Sequence, residues 1–471
     1  MKGSQIMATG ENIFAGEFHE RFKVFHELMT IKIRDILLVS SPYEAFIMEE
    51  DERLSSRILN EYRGLNLSQP PLVTRASSAY EALKLLKERK FDMVIAMPHL
   101  DEMDVFSLGV EIKKIDPWLP VILLTHSLRS AYALQLNKLD HGIDKIFIWS
   151  GKADLLLALI KNAEDLLNVE QDTQKANVRV LILVEDSPIY YSSFLPLIYK
   201  EVVTQIQDVL EAGLNEEHRL LTMRARPKIL LAENYDEALA LYQKYRYFLF
   251  GVISDVRLPK GGKIVPDAGA QLLRQIREDL PDLPLLMLSS EPENKEKAHS
   301  IPAVFLDKNS QNLLAEIHEF FLTHLGFGDF VFRLPDASEI DRAGNLRQLQ
   351  EKLSYIPDES VLYHAERNDF SNWIMARSEI GLASSFRDVR CSDFDTAYGL
   401  RDYIISNILD LRKWRQKGVV TQFNADHFDP HVQDFVKIGD GSLGGKGRGL
   451  AFMSSFLQEN REIYEKHPKI N

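Results

Sequence analysis

The chain has 471 residues, of which 45% are hydrophobic and 27% charged. At roughly 100–200 residues per domain, that length implies about three domains with real hydrophobic cores, and it excludes a disordered or fibrous chain. Lys and Arg number 56 against 69 Asp and Glu, a net charge of -13, which excludes indiscriminate attraction to nucleic acid or to an anionic membrane. The single cysteine, Cys391, allows no intrachain disulfide and no thiolate metal cluster. No apolar run approaches the roughly 20 residues that span a bilayer, and the N-terminus lacks the apolar core of a signal peptide. A cytoplasmic location is therefore expected.

The first periodic stretch, ENIFAGEFHERFKVFHELM, places Phe14, Phe18, Phe22, Phe25 and Met29 at steps of three or four, which lines one face of a helix. An amphipathic helix is expected over residues 1–30, either packed on its own domain or offered for docking or homodimerisation. From Ile31 the pattern changes to short apolar runs, IRDILLVSS, PPLVTRAS, FDMVIAM, PVILLTH and DKIFIWS. Helical stretches such as SAYEALKLLKERK and GKADLLLALIKNAEDLL separate them. Strand and helix alternating five times predict an α/β domain over 31–168, a parallel sheet covered by helices on both faces.

A polar stretch, NVEQDTQKANV, reads as a linker, and the same alternation then restarts with VRVLILVEDS, RPKILLAENY, YFLFGVISDV, LPLLMLSSE and PAVFLDKNS. This second copy occupies 178–325. An internal repeat of about 140 residues means tandem domains rather than stacked solenoid units. The interval from Ser187 to Pro227 is nearly twice what one crossover helix needs, so a lengthened first helix or a helical insertion is expected there. From about Leu325 the strand pattern stops, and AGNLRQLQEKLSYI and DTAYGLRDYIISNILDLRKWRQKG predict an α-helical connector over 326–432. Residues 433–471 pass from a short strand through a glycine-rich loop into a helix.

In doubly wound sheets ligands bind at the carboxyl ends of the strands. In the second copy those ends carry Glu185 and Asp186 after strand one, Asp255 after strand three, Ser289 after strand four and Lys308 after strand five. Three carboxylates so close repel one another unless a cation neutralises them, and a hard divalent ion such as Mg²⁺ suits an all-oxygen donor set. Asp255 could then act as an ionised nucleophile accepting a phosphoryl group, while Lys308 offsets charge on the phosphoryl oxygens and Ser289 donates a hydroxyl hydrogen bond. Phe305, three residues before Lys308, is a candidate rotameric reporter of such a change.

The motifs LILVEDS, VISDVRLP, LMLSS and FLDKNS, in this order, resemble those of the receiver domains of two-component response regulators. The resemblance implies a flavodoxin-like (βα)5 fold and makes Asp255 the phosphorylation site. It also implies Mg²⁺ held by Glu185, Asp186, Asp255 and the main-chain carbonyl of Arg257, with Ser289 as the switch hydroxyl and Lys308 as the family's lysine. The implied partner is a sensor histidine kinase or a phosphotransfer protein. In the first copy the acidic pair becomes Ser40 and Ser41, the acceptor position falls on Met97 and the lysine position on Ser150, while Thr125 alone matches the switch hydroxyl. Without those carboxylates there is neither a metal site nor a nucleophile, so this copy resembles a degenerate pseudo-receiver whose expected work is packing, dimerising or docking.

IGDGSLGGKGRGLAFM contains GxGxxG at Gly439, Gly441 and Gly444. A dinucleotide site would need a whole βαβ unit, and a P-loop fails because glycine follows Lys446. Glycines at a helix N-terminus nevertheless let backbone amides approach phosphates, and Lys446 adds a point charge. SLGGKGRGLAFM is similar to the start of the ATP-grasp domain of phosphoenolpyruvate synthase and pyruvate phosphate dikinase, which implies that Gly444, Gly445, Lys446 and Gly447 contact ATP. The remaining ATP-grasp body, the swivelling histidine domain and the pyruvate-binding barrel have no counterpart here, as if a longer synthase-like protein were cut short. His427, Asp429 and His431 lie close together but without helical metal-ligand spacing, which favours a turn. LRKWRQKG reads as the exposed end of a helix.

The expected function is a phosphorelay response regulator acting on an attached phosphoenolpyruvate synthase-like region, with no complete catalytic domain on this chain. The rivals are a pyruvate- and ATP-using synthase and a phosphorylation-independent scaffold.

Overall fold

The computed structural model describes residues 27–48, 54–64, 70–100, 103–126, 142–209, 223–377, 379–387, 389–416, 420–423, 425, 428–433, 435–439, 441 and 444–459. Most of the helix expected over 1–30 lies outside them. The chain divides into two compact units, one spanning 24–210 and 216–327, the other containing everything from Gly328 onward.

The first unit holds both copies. Its first half runs β1 (Asp35–Val39), α1 (Pro42–Met48), α2 (Leu54–Gly64), β2 (Leu72–Ala76), α3 (Ala79–Glu88), β3 (Met93–Ala96), α4 (Val105–Ile115), β4 (Val121–Thr125), β5 (Lys145–Ile148) and α5 (Asp154–Ala176). The second runs β6 (Val180–Val184), α6 (Pro188–Val209), β7 (Lys228–Ala232), α7 (Tyr235–Tyr245), β8 (Leu249–Asp255), β9 (Leu258–Lys260), β10 (Lys263–Val265), α8 (Ala268–Asp279), β11 (Leu285–Ser289), α9 (Asn294–Ser300), β12 (Val304–Asp307) and α10 (Leu313–Thr323). The five-stranded sheets are parallel, in the orders β2-β1-β3-β4-β5 and β7-β6-β8-β11-β12. Read by position in each copy, both are 2-1-3-4-5, the flavodoxin-like order. The strands β3, β4, β6 and β11 are buried throughout, which is why they read as unbroken apolar runs instead of alternating ones.

The two edge strands of equal topological rank differ. β2 is exposed or half-buried at every position but its last, whereas β7 is buried along its whole length. The first half covers β7. From α5, Asn162 Nδ2 donates to Ile229 O (3.2 Å) and Asp165 Oδ2 accepts from Ile229 N (2.9 Å). The fully buried Asp165 also accepts from both terminal nitrogens of Arg226 (2.9 and 2.7 Å) and from the Tyr199 hydroxyl (2.9 Å). In return α6 covers β5: Tyr191 donates its hydroxyl to Ile146 O, and Ser192 Oγ accepts from Ile148 N (3.0 Å). Lys145 reaches across to Glu233 (2.9 Å). Each half thus supplies side chains to an edge whose backbone groups would otherwise invite another strand. The helix α6 has 22 residues, in line with the long interval seen in the sequence.

The polar stretch over 168–178 is not a linker, since α5 continues through it to Ala176. Three of its polar residues, Asn168, Asp172 and Thr173, are buried with partners. Asn168 Oδ1 accepts from Ile31 N (2.9 Å), Asp172 Oδ1 accepts from Met29 N (3.2 Å), and Asp172 pairs with the buried Lys228 (2.8 Å). Those bonds hold residues 27–34 as an irregular segment, with Met29 at φ +51°. The helix expected up to residue 30 therefore does not include 27–30.

The second unit opens on an antiparallel hairpin, β13 (Phe330–Arg333) and β14 (Glu339–Ala343), where strand structure was expected to have stopped. Its strands are too short for an alternating pattern to stand out. The helices α11 (Leu346–Leu353), α12 (Asp358–Glu366), α13 (Asp369–Ala376), α14 (Ile380–Arg387) and α15 (Ala397–Gln416) follow. Buried His364 of α12 accepts from Arg333 N at Nε2 (2.8 Å) and pairs with Asp369 at Nδ1 (2.7 Å), fixing the hairpin to the helices. Arg412 near the end of α15 is not solvated: it pairs with Asp429 (2.7 Å), whose carboxylate also accepts from His431 N (3.1 Å) in a turn. His427 lies outside the described residues. A short parallel pair, β15 (Val420–Gln422) and β16 (Phe435–Lys437), precedes α16 (Gly445–Glu459). No described helix is long and apolar enough to cross a membrane.

Candidate functional site

The central strand β8 ends on Asp255. On one side β6 pairs Val184 with Ser254, so the next residue, Glu185, stands beside Asp255. On the other side β11 pairs Leu288 with Asp255, so Ser289 follows one position on, and Lys308 N donates to Ser289 O (2.9 Å). Three features fix the acceptor strand. Val256 N donates to Asp255 Oδ1 (2.7 Å). Gly269 in the first turn of α8 approaches so closely that a Cβ there would lie 1.7 Å from Asp255 O. Between them the β9–β10 hairpin turns through Gly261 and Gly262, both at positive φ, and Gly261 N donates to Asp236 Oδ2 (2.8 Å).

Oxygen atoms of Glu185, Asp186 and Asp255 lie within 4.8 Å of one another. Lys308 Nζ contacts two of these carboxylates, Glu185 Oε2 at 2.5 Å and Asp255 Oδ2 at 3.0 Å, and all three side chains are buried or nearly so. Burial pushes Glu185 up to about 8, with Lys308 opposing and Asp255 adding to the rise. Burial and then the Asp255 charge push Asp186 up to about 6. Asp255 is raised by burial against the pull of Lys308. Burial pulls the Lys308 ammonium down, but Glu185 and Asp255 outweigh it and its pKa is raised. One ammonium faces three carboxylates, so the cluster is short of positive charge. A dense all-oxygen donor set of this kind fits a hard divalent cation.

Ser289 Oγ accepts from Glu291 N (3.0 Å) and Asn294 Nδ2 (2.9 Å), which leaves its own hydroxyl hydrogen to donate. Phe305 is half-buried against the core of this half. Tyr190, in the first turn of α6, was not anticipated: Lys308 Nζ lies 4.2 Å from its ring centroid. Tyr190 enters the site from a helix, whereas the other members stand at strand ends.

At the corresponding place in the first half, Ser40 and Met97 are buried, Thr125 ends β4 and Ser150 is exposed. A buried carboxylate is present, Glu44 from α1, but it pairs with His99 Nδ1 (3.0 Å) and sits on a different element. In the second unit, Gly445, Lys446 and Gly447 form the first turn of α16 and not a loop. Gly444, Gly445 and Lys446 are exposed, and no heavy atom lies within 4 Å of where a Cβ at either glycine would be.

The fold and the site together are those of a doubly wound α/β half with an acidic cluster and a lysine at its strand ends, and the chain is similar to response-regulator receiver domains. A stretch of 63 residues, 13% of this chain, is 44% identical to the transcriptional regulatory protein GlrR of Escherichia coli K12 and spans 14% of that relative. The signal receiver domain of an HD domain-containing protein from Pseudomonas fluorescens Pf-5 is 27% identical, over 30% of this chain and 95% of that one, with a TM-score of 0.22. The response regulator TrrA of Thermotoga maritima, solved in complex with Mg²⁺-BeF, is 21% identical over 28% of this chain and 99% of that one, with a TM-score of 0.21. No protein-family model matches the chain.

Proposed function

We propose that residues 178–325 form a phosphoryl-accepting receiver in a phosphorelay, with 31–168 as its degenerate companion. The supporting observation is the juxtaposition of Glu185, Asp186, Asp255 and Lys308 at the ends of adjacent parallel strands. An oxygen of the Asp255 carboxylate attacks the phosphorus of the donor, forming a P–O bond, as the bond to the leaving group breaks and that group keeps its electron pair. The donor is a phosphohistidine of a sensor kinase or phosphotransfer protein. Glu185, Asp186 and Asp255, with the carbonyl of Arg257, would hold Mg²⁺, which would supply positive charge to offset that of the phosphoryl oxygens. Lys308 supplies the second positive charge, and Ser289 donates to the transferred group.

The test is incubation of the chain with Mg²⁺ and acetyl phosphate, followed by mass spectrometry. An acid-stable, base-labile phosphate is expected on the wild type and none on Asp255→Asn. Lys308→Ala is expected to slow uptake by roughly a hundredfold, the usual effect of removing one charge-stabilising group. A wild type that takes up no phosphate, or an adduct that persists in Asp255→Asn, refutes the proposal. For the first half, a scaffold role is favoured by its loss of the carboxylates together with the side chains it lends to β7. Regulation of an attached phosphoenolpyruvate synthase-like region, with ATP at Gly444, Gly445, Lys446 and Gly447, rests on sequence resemblance alone, and calorimetric titration with ATP tests it.

A further inference from the structure

We propose that Tyr190 is a positioning residue for Lys308 and that the first half braces it through Tyr191 and Ser192. The inference rests on the phosphoryl-acceptor function proposed above. Lysine carries its charge on a flexible stem, so the ammonium sits where its partners put it. Two of those partners, Glu185 and Asp255, are the groups whose charge is drawn off when a cation binds or a phosphoryl group arrives. The third is the face of the Tyr190 ring, 4.2 Å from Lys308 Nζ. Its attraction for a cation comes from the ring quadrupole and needs no carboxylate. Tyr190 is thus the partner that still holds the ammonium over the acceptor once Glu185 and Asp255 are otherwise engaged.

The ring is itself held. It stacks on Phe194 one helical turn along, with centroids 5.8 Å apart and planes 19° apart. The next two residues anchor the turn to the other half. Tyr191 donates to Ile146 O and meets Phe147 edge-on at 5.2 Å, and Ser192 accepts from Ile148 N at 3.0 Å. Bonds from two consecutive residues to alternate positions of β5 fix the rotation of the turn, and that rotation aims Tyr190. The degenerate sheet is in this sense the mount on which the lysine of the other sheet is aligned.

The experiment follows phosphate uptake by the full chain with Mg²⁺ and acetyl phosphate. Tyr190→Leu is expected to lower the limiting rate roughly threefold to thirtyfold, the range a desolvated cation–π contact supports, with less change in the half-saturating donor concentration. Tyr190→Phe should stay within about twofold of wild type, because the ring face is kept. Phenylalanine carrying one, two or three ring fluorines at position 190 keeps the shape while draining the negative face, and uptake should slow stepwise with fluorine count. Joint removal of the hydroxyls in Tyr191→Phe with Ser192→Ala should slow uptake when Tyr190 is present and have little further effect in Tyr190→Leu. A flat fluorine series, wild-type uptake in Tyr190→Leu, or fully additive losses overturns the inference. Absence of phosphate on the wild type overturns the parent proposal and this one together, whereas a phosphorylated wild type with a flat series overturns this one alone.

Discussion

At the scale of single residues, the site is a set of charges kept close at a cost. Asp186 is raised to about 6 by burial and by Asp255, and each pKa unit corresponds to about 1.4 kcal/mol. Without divalent cation, Asp186→Asn is therefore expected to stabilise the protein at neutral pH by about 1–3 kcal/mol, while abolishing stabilisation by Mg²⁺; urea denaturation with and without the ion checks both. The pH dependence has a definite sign. Glu185 and Asp186 start from ordinary values of 4.5 and 3.8 and are raised to about 8 and about 6, so the folded state binds more protons than the unfolded one. Metal-free stability should fall as pH rises from about 4 to about 8, and saturating Mg²⁺ should flatten that fall. That Glu185, Asp186, Asp255, Ser289 and Lys308 fall at the ends of neighbouring strands was legible in the sequence, because each closes or follows an apolar run. Tyr190 was not, since nothing in a helix's first turn announces which neighbouring strand's lysine it will meet.

At the scale of elements, the most instructive departure is α5. Asn168, Asp172 and Thr173 made its second half look like a solvated linker, yet all three are buried. Polar residues on a helix are ambiguous in sequence: they signal water unless a partner hundreds of bonds away is known, here the backbone of Met29 and Ile31 and the Lys228 ammonium. The hairpin β13–β14 was missed for another reason, its strands having only four and five residues. Two predictions belong here. Asp165→Ala strands the buried Arg226 guanidinium and the Ile229 amide together and should cost about 3–5 kcal/mol in a denaturation experiment. Gly269→Ala places a methyl group 1.7 Å from Asp255 O, which forces α8 or the acceptor strand to move. It should cost about 1–3 kcal/mol and sharply reduce phosphate uptake, even in molecules that remain folded.

At the scale of the whole molecule, the strands of the two five-stranded sheets were visible as apolar runs, but the junction between the sheets was not. It is built from backbone groups of β5 and β7, which carry no sequence signature, and from side chains of α5 and α6 that satisfy them. Such reciprocal capping predicts that the halves unfold together. Amide exchange at Ile148 and Ile229 should open with the same free energy in the 471-residue chain, and different values at the two sites would show independent halves.

The junction also has a handedness of assembly. It joins the last strand and last helix of the first half to the second strand and first helix of the second half, so unlike surfaces meet, and such contacts close into a ring only where the rotation between successive members allows it. Among the described strands, the opposite edges are β2 in the first half and β12 in the second. On the outer edge of the first half, β2 carries the exposed Leu72 and Arg75, and a charged side chain on an edge strand discourages pairing with an incoming strand.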